Sequence, residues 1–204
     1  MRVLLLGGFL GSGKTSILLR LAQYLVSGSE GGAKVMIIEN EIGEVGVDDK
    51  ILKSQGLQVR ELFAGCACCS GGADLINDIA YIRDNFAPDW LIIESTGVAY
   101  PLQIKENVEH VFKVKVGVLC LADAQRWRRL RRAMSELIEC QLECADWILL
   151  NKVDLVEKEQ IAAIEADIRT INPRAELRRT VGNRPMDEEI WRGIAEGSVW
   201  NDQA

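Results

Sequence analysis

The chain has 204 residues, 48% of them hydrophobic and 26% charged, with a formal net charge of −6 and a pI near 5.0. That is enough apolar material for one buried core and too little chain for two domains of ordinary size, and the acidic balance excludes nucleic acid as the main partner, because neutralising phosphates needs a basic surface. No apolar run approaches the roughly 20 residues that cross a bilayer, and the short apolar start does not read as a signal peptide, so the expected setting is a reducing cytoplasm without a membrane partner, where the six cysteines serve as ligands or reactive groups rather than as bridges.

The first element is the apolar run Val3 to Leu6, and Gly8-Phe9-Leu10-Gly11-Ser12-Gly13-Lys14-Thr15 follows it directly. This is G-x-x-x-x-G-K-T, a P-loop. Glycines at 8, 11 and 13 let the backbone curl and turn its N–H groups onto phosphate oxygens. Lys14 adds a point charge near the β and γ phosphates, and the Thr15 hydroxyl is placed to ligand Mg²⁺. From Ser16 to Val26 apolar residues recur at helical spacing (Ile17, Leu18, Leu21, Leu25), so a helix N-terminus faces the same phosphates. Gly8, Gly11, Ser12, Gly13, Lys14, Thr15 and Ser16 are therefore the candidate phosphate-binding residues for a nucleoside triphosphate.

After a Gly-rich turn at 28–32, Lys34 to Glu39 reads as a second buried strand. The acidic, Gly-containing stretch Glu39-Asn40-Glu41-Ile42-Gly43-Glu44-Val45-Gly46-Val47-Asp48 fits equally a switch loop that orders around Mg²⁺ and the γ-phosphate or an acidic surface loop. Glu41 and Asp48 are candidates to orient an attacking water or to complete a metal shell, Glu41 being the catalytic choice. Three thiols then fall within four residues at Gly65-Cys66-Ala67-Cys68-Cys69. Thiolates converging on one centre suit Zn²⁺, with one of four positions left open, and the same set is open to Cu(I), Co²⁺ or Ni²⁺; a redox pair and a structural cluster are the competing readings.

Ala73 to Phe86 reads as a helix and Trp90 to Ile93 as a strand ending in Glu94-Ser95-Thr96-Gly97. An acidic residue at such a strand end holds Mg²⁺ in P-loop proteins, usually through water, and Gly97 offers an N–H to the γ-phosphate. His110, the only histidine, reads as a surface residue. A strand from Val114 to Leu121 carries Cys120 into the core, and a helix from Ala124 to Leu142 begins with Arg126-Trp127-Arg128-Arg129-Leu130-Arg131-Arg132, five arginines in seven residues. These form either a solvated helix face or a docking patch for an acidic partner. Cys140 and Cys144 are four apart, on one helix face, and read as packing residues.

The strand Trp147 to Leu150 leads into Asn151-Lys152-Val153-Asp154, an N-K-x-D signature. Asp154 can accept from both N1–H and the N2 amino group of guanine, whereas adenine would turn a lone pair toward it; Asn151, Lys152 and Asp154 thus favour GTP over ATP. A helix from Glu157 to Ile171 follows, and 197–204 is polar and reads as a frayed end. Short apolar strands alternating with helices predict an α/β, three-layer P-loop NTPase fold, a mainly parallel central sheet with helices on both faces, as a single domain over 1–204.

Taken together, the P-loop, the 40–48 loop, the 65–69 cysteines, Glu94 to Gly97 and Asn151 to Asp154 resemble the CobW, HypB and UreG metal-insertion GTPases, closest to the nucleotide-binding domain of the CobW branch. The resemblance implies slow GTP hydrolysis to GDP coupled to metal handling, with Cys66, Cys68 and Cys69 as the Zn²⁺ (or Co²⁺ or Ni²⁺) site near the switch; on the residues' own reading Lys14, Glu94 and Glu41 are the catalytic candidates and Thr15 and Glu94 hold Mg²⁺. It also implies that Glu94 stands where other P-loop GTPases carry aspartate and that a nucleotide-dependent homodimer forms, with the metal passing to a client metalloprotein; a corrinoid (cobalamin-bearing) protein is the partner in the alternative reading. The C-terminal domain and the His-rich stretch of typical relatives have no counterpart in these residues. The alternative reading is a GTP-dependent activator or remodelling protein for a cofactor-bearing partner, with structural cysteines; a small-molecule kinase is disfavoured by Asn151 and Asp154.

Overall fold

Every residue from Val3 to Gly8 is buried, which puts β1 (Arg2–Gly8) in the middle of a sheet rather than at its edge. The computed structural model describes residues 1–28, 32–39, 58–61, 73–182 and 184–201, without the side chains of 39, 58–61 and 73. Among these residues the other strands are β2 (Val35–Glu39), β3 (Gln58–Glu61), β4 (Trp90–Glu94), β5 (Val116–Asp123), β6 (Trp147–Asn151) and β7 (Glu176–Arg179). They form a seven-stranded sheet of order β3-β2-β4-β1-β5-β6-β7, parallel at every pair. The α/β expectation holds.

The alternation of β1 divides the core in two. Val3 and Leu5 pack on one face with helices α2 (Ala73–Phe86), α3 (Pro101–Phe112), α4 (Trp127–Ala133), α5 (Ser135–Leu142) and α6 (Lys158–Ile171). Leu4 and Leu6 pack on the other with α1 (Lys14–Ser27) and α7 (Glu188–Ala195). The register aligns Leu6 with Glu94 on one flank of β1 and Gly8 with Leu121 on the other. Strand order reverses beside β1, and at such a switch point, at the carboxyl ends of the strands, a doubly wound sheet binds its ligand.

Three sequence expectations change. The helix expected from Ala124 to Leu142 is two helices, because Met134 leaves helical geometry (φ −144°, ψ 45°), although apolar residues at 130, 134, 138 and 142 keep helical spacing across the break. Cys140 therefore lies on α5 while Cys144 falls beyond its end, half-buried against the core; burial pushes the Cys144 thiol up to about 11. The C-terminal segment is not frayed at 198–200. Trp200 is buried, donates from Nε1 to the Ile194 carbonyl at 2.8 Å, and meets Trp90 edge-on at 5.1 Å and Trp147 at 6.0 Å. Burying the Trp200 ring in the core anchors the otherwise polar segment around it. Cys120 is fully buried and His110 exposed, as expected.

Candidate nucleotide site

The P-loop is the turn between β1 and α1, and its glycines have the backbone that the motif requires. Gly8, Gly11 and Gly13 all have positive φ, at 131°, 72° and 103°. Helix α1 starts at Lys14 with no side-chain cap and no acidic residue in its first turn, so its leading N–H groups are left for another acceptor. Ser12 Oγ is fully buried and has no hydrogen-bond partner among the described residues. A buried hydroxyl with nothing to bond is costly unless something arrives to fill the cradle. Phosphate oxygens fit that requirement.

Beside the loop, β4 delivers Glu94, which is buried. The Thr15 hydroxyl donates to Glu94 Oε1 at 3.3 Å, and Lys14 Nζ lies 4.0 Å from the same oxygen. This hydroxyl and carboxylate are hard oxygen donors at the mouth of the phosphate cradle, the donor set that suits Mg²⁺. Gly97 follows closely: a Cβ there would lie 2.5 Å from the Leu10 amide nitrogen, so only glycine lets the Glu94 to Gly97 turn run against the P-loop. Gln141, on α5, holds this turn from behind by donating to the Gly97 carbonyl at 2.9 Å.

The third wall comes from β6. Asn151 is buried; its Nδ2 donates to the Ser12 carbonyl at 2.8 Å and its Oδ1 accepts from Thr180 Oγ1 at 3.2 Å. Lys152, in left-handed backbone (φ 62°), donates from Nζ to the Gly11 carbonyl at 2.7 Å and to Asp123 Oδ2 at 2.7 Å. Asp154 is exposed, with its carboxylate open to a ligand. Ser16 is also exposed, on the first turn of α1.

Four residues of the site, Asp123, Arg126, Thr180 and Gly182, were not read from sequence as part of it. Asp123 ends β5 and is buried; burial pushes its carboxyl up, but hydrogen bonds from Lys152 and Arg126 outweigh that and hold it below the ordinary value. Arg126, read as part of a basic run, lies over the Phe9 ring at 5.9 Å. Thr180 and Gly182 follow β7 and close on Asn151, a Cβ at Gly182 meeting its Nδ2 at 3.0 Å. An Asp at the end of an apolar strand was the available signal for Asp123. Of the other arginines, Arg131 pairs with Asp167 and Glu139, while Arg128, Arg129 and Arg132 are exposed. Glu41, Asp48, Cys66, Cys68 and Cys69 lie outside the described residues. Among the described residues no helix is long and apolar enough to cross a membrane.

A family model described as CobW/HypB/UreG, nucleotide-binding domain, matches residues 2–179. The chain belongs to the CobW/HypB/UreG family. Within it, the chain is 30% identical over 235 residues to zinc-regulated GTPase metalloprotein activator 1 of Dictyostelium discoideum, covering 94% of this chain and 48% of that protein. It is 33% identical over 186 residues to the zinc chaperone YjiA of Escherichia coli K12, covering 85% of this chain and 55% of that one. The chain thus spans about half the length of the curated relatives it matches. HypB of Helicobacter pylori, solved in complex with nickel, superposes with a TM-score of 0.66 at 19% identity, covering 100% of this chain and 90% of that one. The fold is that of the P-loop GTPases of this CobW/HypB/UreG group.

Proposed function

We propose that this chain is the GTP-binding and GTP-hydrolysing unit of a metallochaperone, coupling nucleotide state to zinc binding and delivery. The observation that carries the nucleotide half is the seating of Asn151 on the Ser12 carbonyl, which makes the guanine-reading loop and the phosphate loop one surface. In this reading the amides of the P-loop and the Lys14 ammonium stabilise charge on the β and γ phosphates. Thr15 and, through water, Glu94 would hold Mg²⁺, which supplies neutralisation across the same oxygens. Gly97 brings its N–H to the γ-phosphate, and Glu41 or Asp48 orients the attacking water or completes the metal shell. Asp154 selects guanine. Turnover without a partner is slow in this reading, since the sequence names no arginine finger to offset the transition-state charge.

The zinc half rests on the chain's own Cys66-Ala67-Cys68-Cys69, with the names of its zinc-handling relatives in support. Three thiolates with an open fourth position suit a metal that is handed on, and the client is a metalloprotein. Nucleotide-dependent pairing of two copies is part of the same reading, as is a cytoplasmic setting that keeps the thiols reduced. The test is Zn²⁺ affinity by chelator competition on protein loaded with a non-hydrolysable GTP analogue and again with GDP, with Co²⁺ and Ni²⁺ as parallel arms. A difference of about tenfold or more, equal to about 1.4 kcal/mol of coupling, that vanishes in the Cys66, Cys68, Cys69 triple Ser variant supports it. Equal affinities in the two states refute it.

A further inference from the structure

Asp123 sits at the meeting point of two cations that both reach the phosphate loop. Its carboxylate, 2% exposed, accepts from Arg126 Nε at 2.8 Å, from the Arg126 backbone N–H at 3.0 Å and from Lys152 Nζ at 2.7 Å. Arg126 then donates from a terminal nitrogen to the Leu10 carbonyl, and Lys152 donates to the Gly11 carbonyl at 2.7 Å. Asn151 takes the next carbonyl, Ser12, at 2.8 Å. Three consecutive P-loop carbonyls are therefore hooked from one side. A trans peptide holds its N–H opposite its C=O, so fixing these carbonyls fixes the direction of the Gly11, Ser12 and Gly13 amides. Gly11 and Gly13, both at positive φ, would otherwise be the freest residues of the loop.

Neither cation would hold its place alone. Lys152 has a long, flexible stem, and Arg126 caps the amino end of the short helix α4 and is half-exposed. One buried carboxylate anchors both, and charge-assisted bonds of this kind are the strong ones. Preorganising a loop lowers the ordering cost that a ligand would otherwise meet.

We propose that Asp123 is a positioning residue for phosphate binding: through Arg126 and Lys152 it sets the peptide planes of the P-loop before nucleotide arrives. This rests on the reading of the P-loop as a GTP site. It predicts a loss common to GDP and GTP, since both present a β-phosphate to these amides, with little change in the choice of base, which belongs to Asp154.

The experiment is calorimetric titration of GDP and of a non-hydrolysable GTP analogue into wild type, Asp123→Asn, Arg126→Ala and the double variant, with steady-state GTP hydrolysis alongside. Expected for Asp123→Asn is a tenfold or greater loss for both nucleotides, an unchanged preference for guanine over xanthine nucleotides, and a rise in KM with kcat within about twofold. Arg126→Ala should lose less, and the double variant should match Asp123→Asn rather than the product of the two losses. A purely structural role would lower Tm and leave nucleotide affinity within twofold, which overturns the proposal; so do losses that multiply. Should Asp123→Asn fail to fold, Arg126→Ala decides: affinity for both nucleotides within twofold of wild type refutes the anchoring role, and a loss regained in Arg126→Lys supports it. Wild-type protein that binds neither nucleotide would mark a failure of the GTP reading instead.

Discussion

The Asn151 side chain donates to the Ser12 carbonyl at 2.8 Å across 139 residues of sequence. A Cβ on Gly13 would come within 2.6 Å of the same Asn151 nitrogen, so a side chain at 13 would push Asn151 off the loop. Asn151→Ala should therefore loosen the phosphate cradle as well as the base pocket. Losing a buried hydrogen bond and stranding its partner costs about 1–3 kcal/mol, and GDP titration by calorimetry should register a fall of about fivefold to a hundredfold.

Asp154 is exposed and available to a base, so its chemistry can be inverted. Asp154→Asn replaces an acceptor by an amide that donates to a carbonyl, matching xanthine where guanine carries its amino group. The variant should lose GTP and gain XTP in competition binding. Retained GTP preference would remove Asp154 from base recognition.

Glu94 is buried beneath Lys14 and Thr15, where its charge matters most to a cation. Glu94→Gln keeps the shape and removes the charge. Hydrolysis measured by phosphate release should fall by about tenfold or more, with a higher Mg²⁺ requirement, since metal stabilisation of transition-state charge is worth several kcal/mol.

The Asp123 carboxyl titrates below its ordinary value in the folded chain, with Lys152 and Arg126 outweighing burial. A depressed folded pKa contributes stability that is present above the unfolded value of about 3.9 and is lost as pH falls through the folded one. In urea unfolding at a series of pH values, Asp123→Asn should be less stable than wild type at neutral pH, and the gap should narrow below about pH 4.

Trp200 packs under the amino ends of the strands, between Trp90 and Trp147, with the Arg2 guanidinium 5.9 Å from its ring. Trp200→Ala should cost about 3–5 kcal/mol of stability, read as a shifted urea midpoint, while GDP affinity of the folded protein stays near wild type because the site is at the opposite edge of the sheet.

The sequence alone determined the strands whose residues are apolar on both faces, β1, β2, β4, β5 and β6, because a strand covered on both sides needs a continuous apolar run. It also determined the P-loop and the Glu94 and Asn151 motifs, where spacing is dictated by the ligand rather than by packing. β3 (QVRE) and β7 (ELRR) were illegible, since both are edge strands written largely in polar residues and lack the apolar run that marks the central strands. Helix α3 was missed because only Pro101 and Val108 are buried along its 12 residues, too few to make a period.

Only the tertiary structure decided that the Arg126 to Arg132 run is not one feature. Arg126 reaches the Leu10 carbonyl of the P-loop, 116 residues away, and Arg131 pairs with Asp167, 36 residues away. It likewise decided that Asp123 joins the site and that Trp200 closes the core. Local spacing encodes which groups a ligand needs; strand order decides which distant charges and rings come to lie beside them, and that order is set by how the whole sheet buries its two faces.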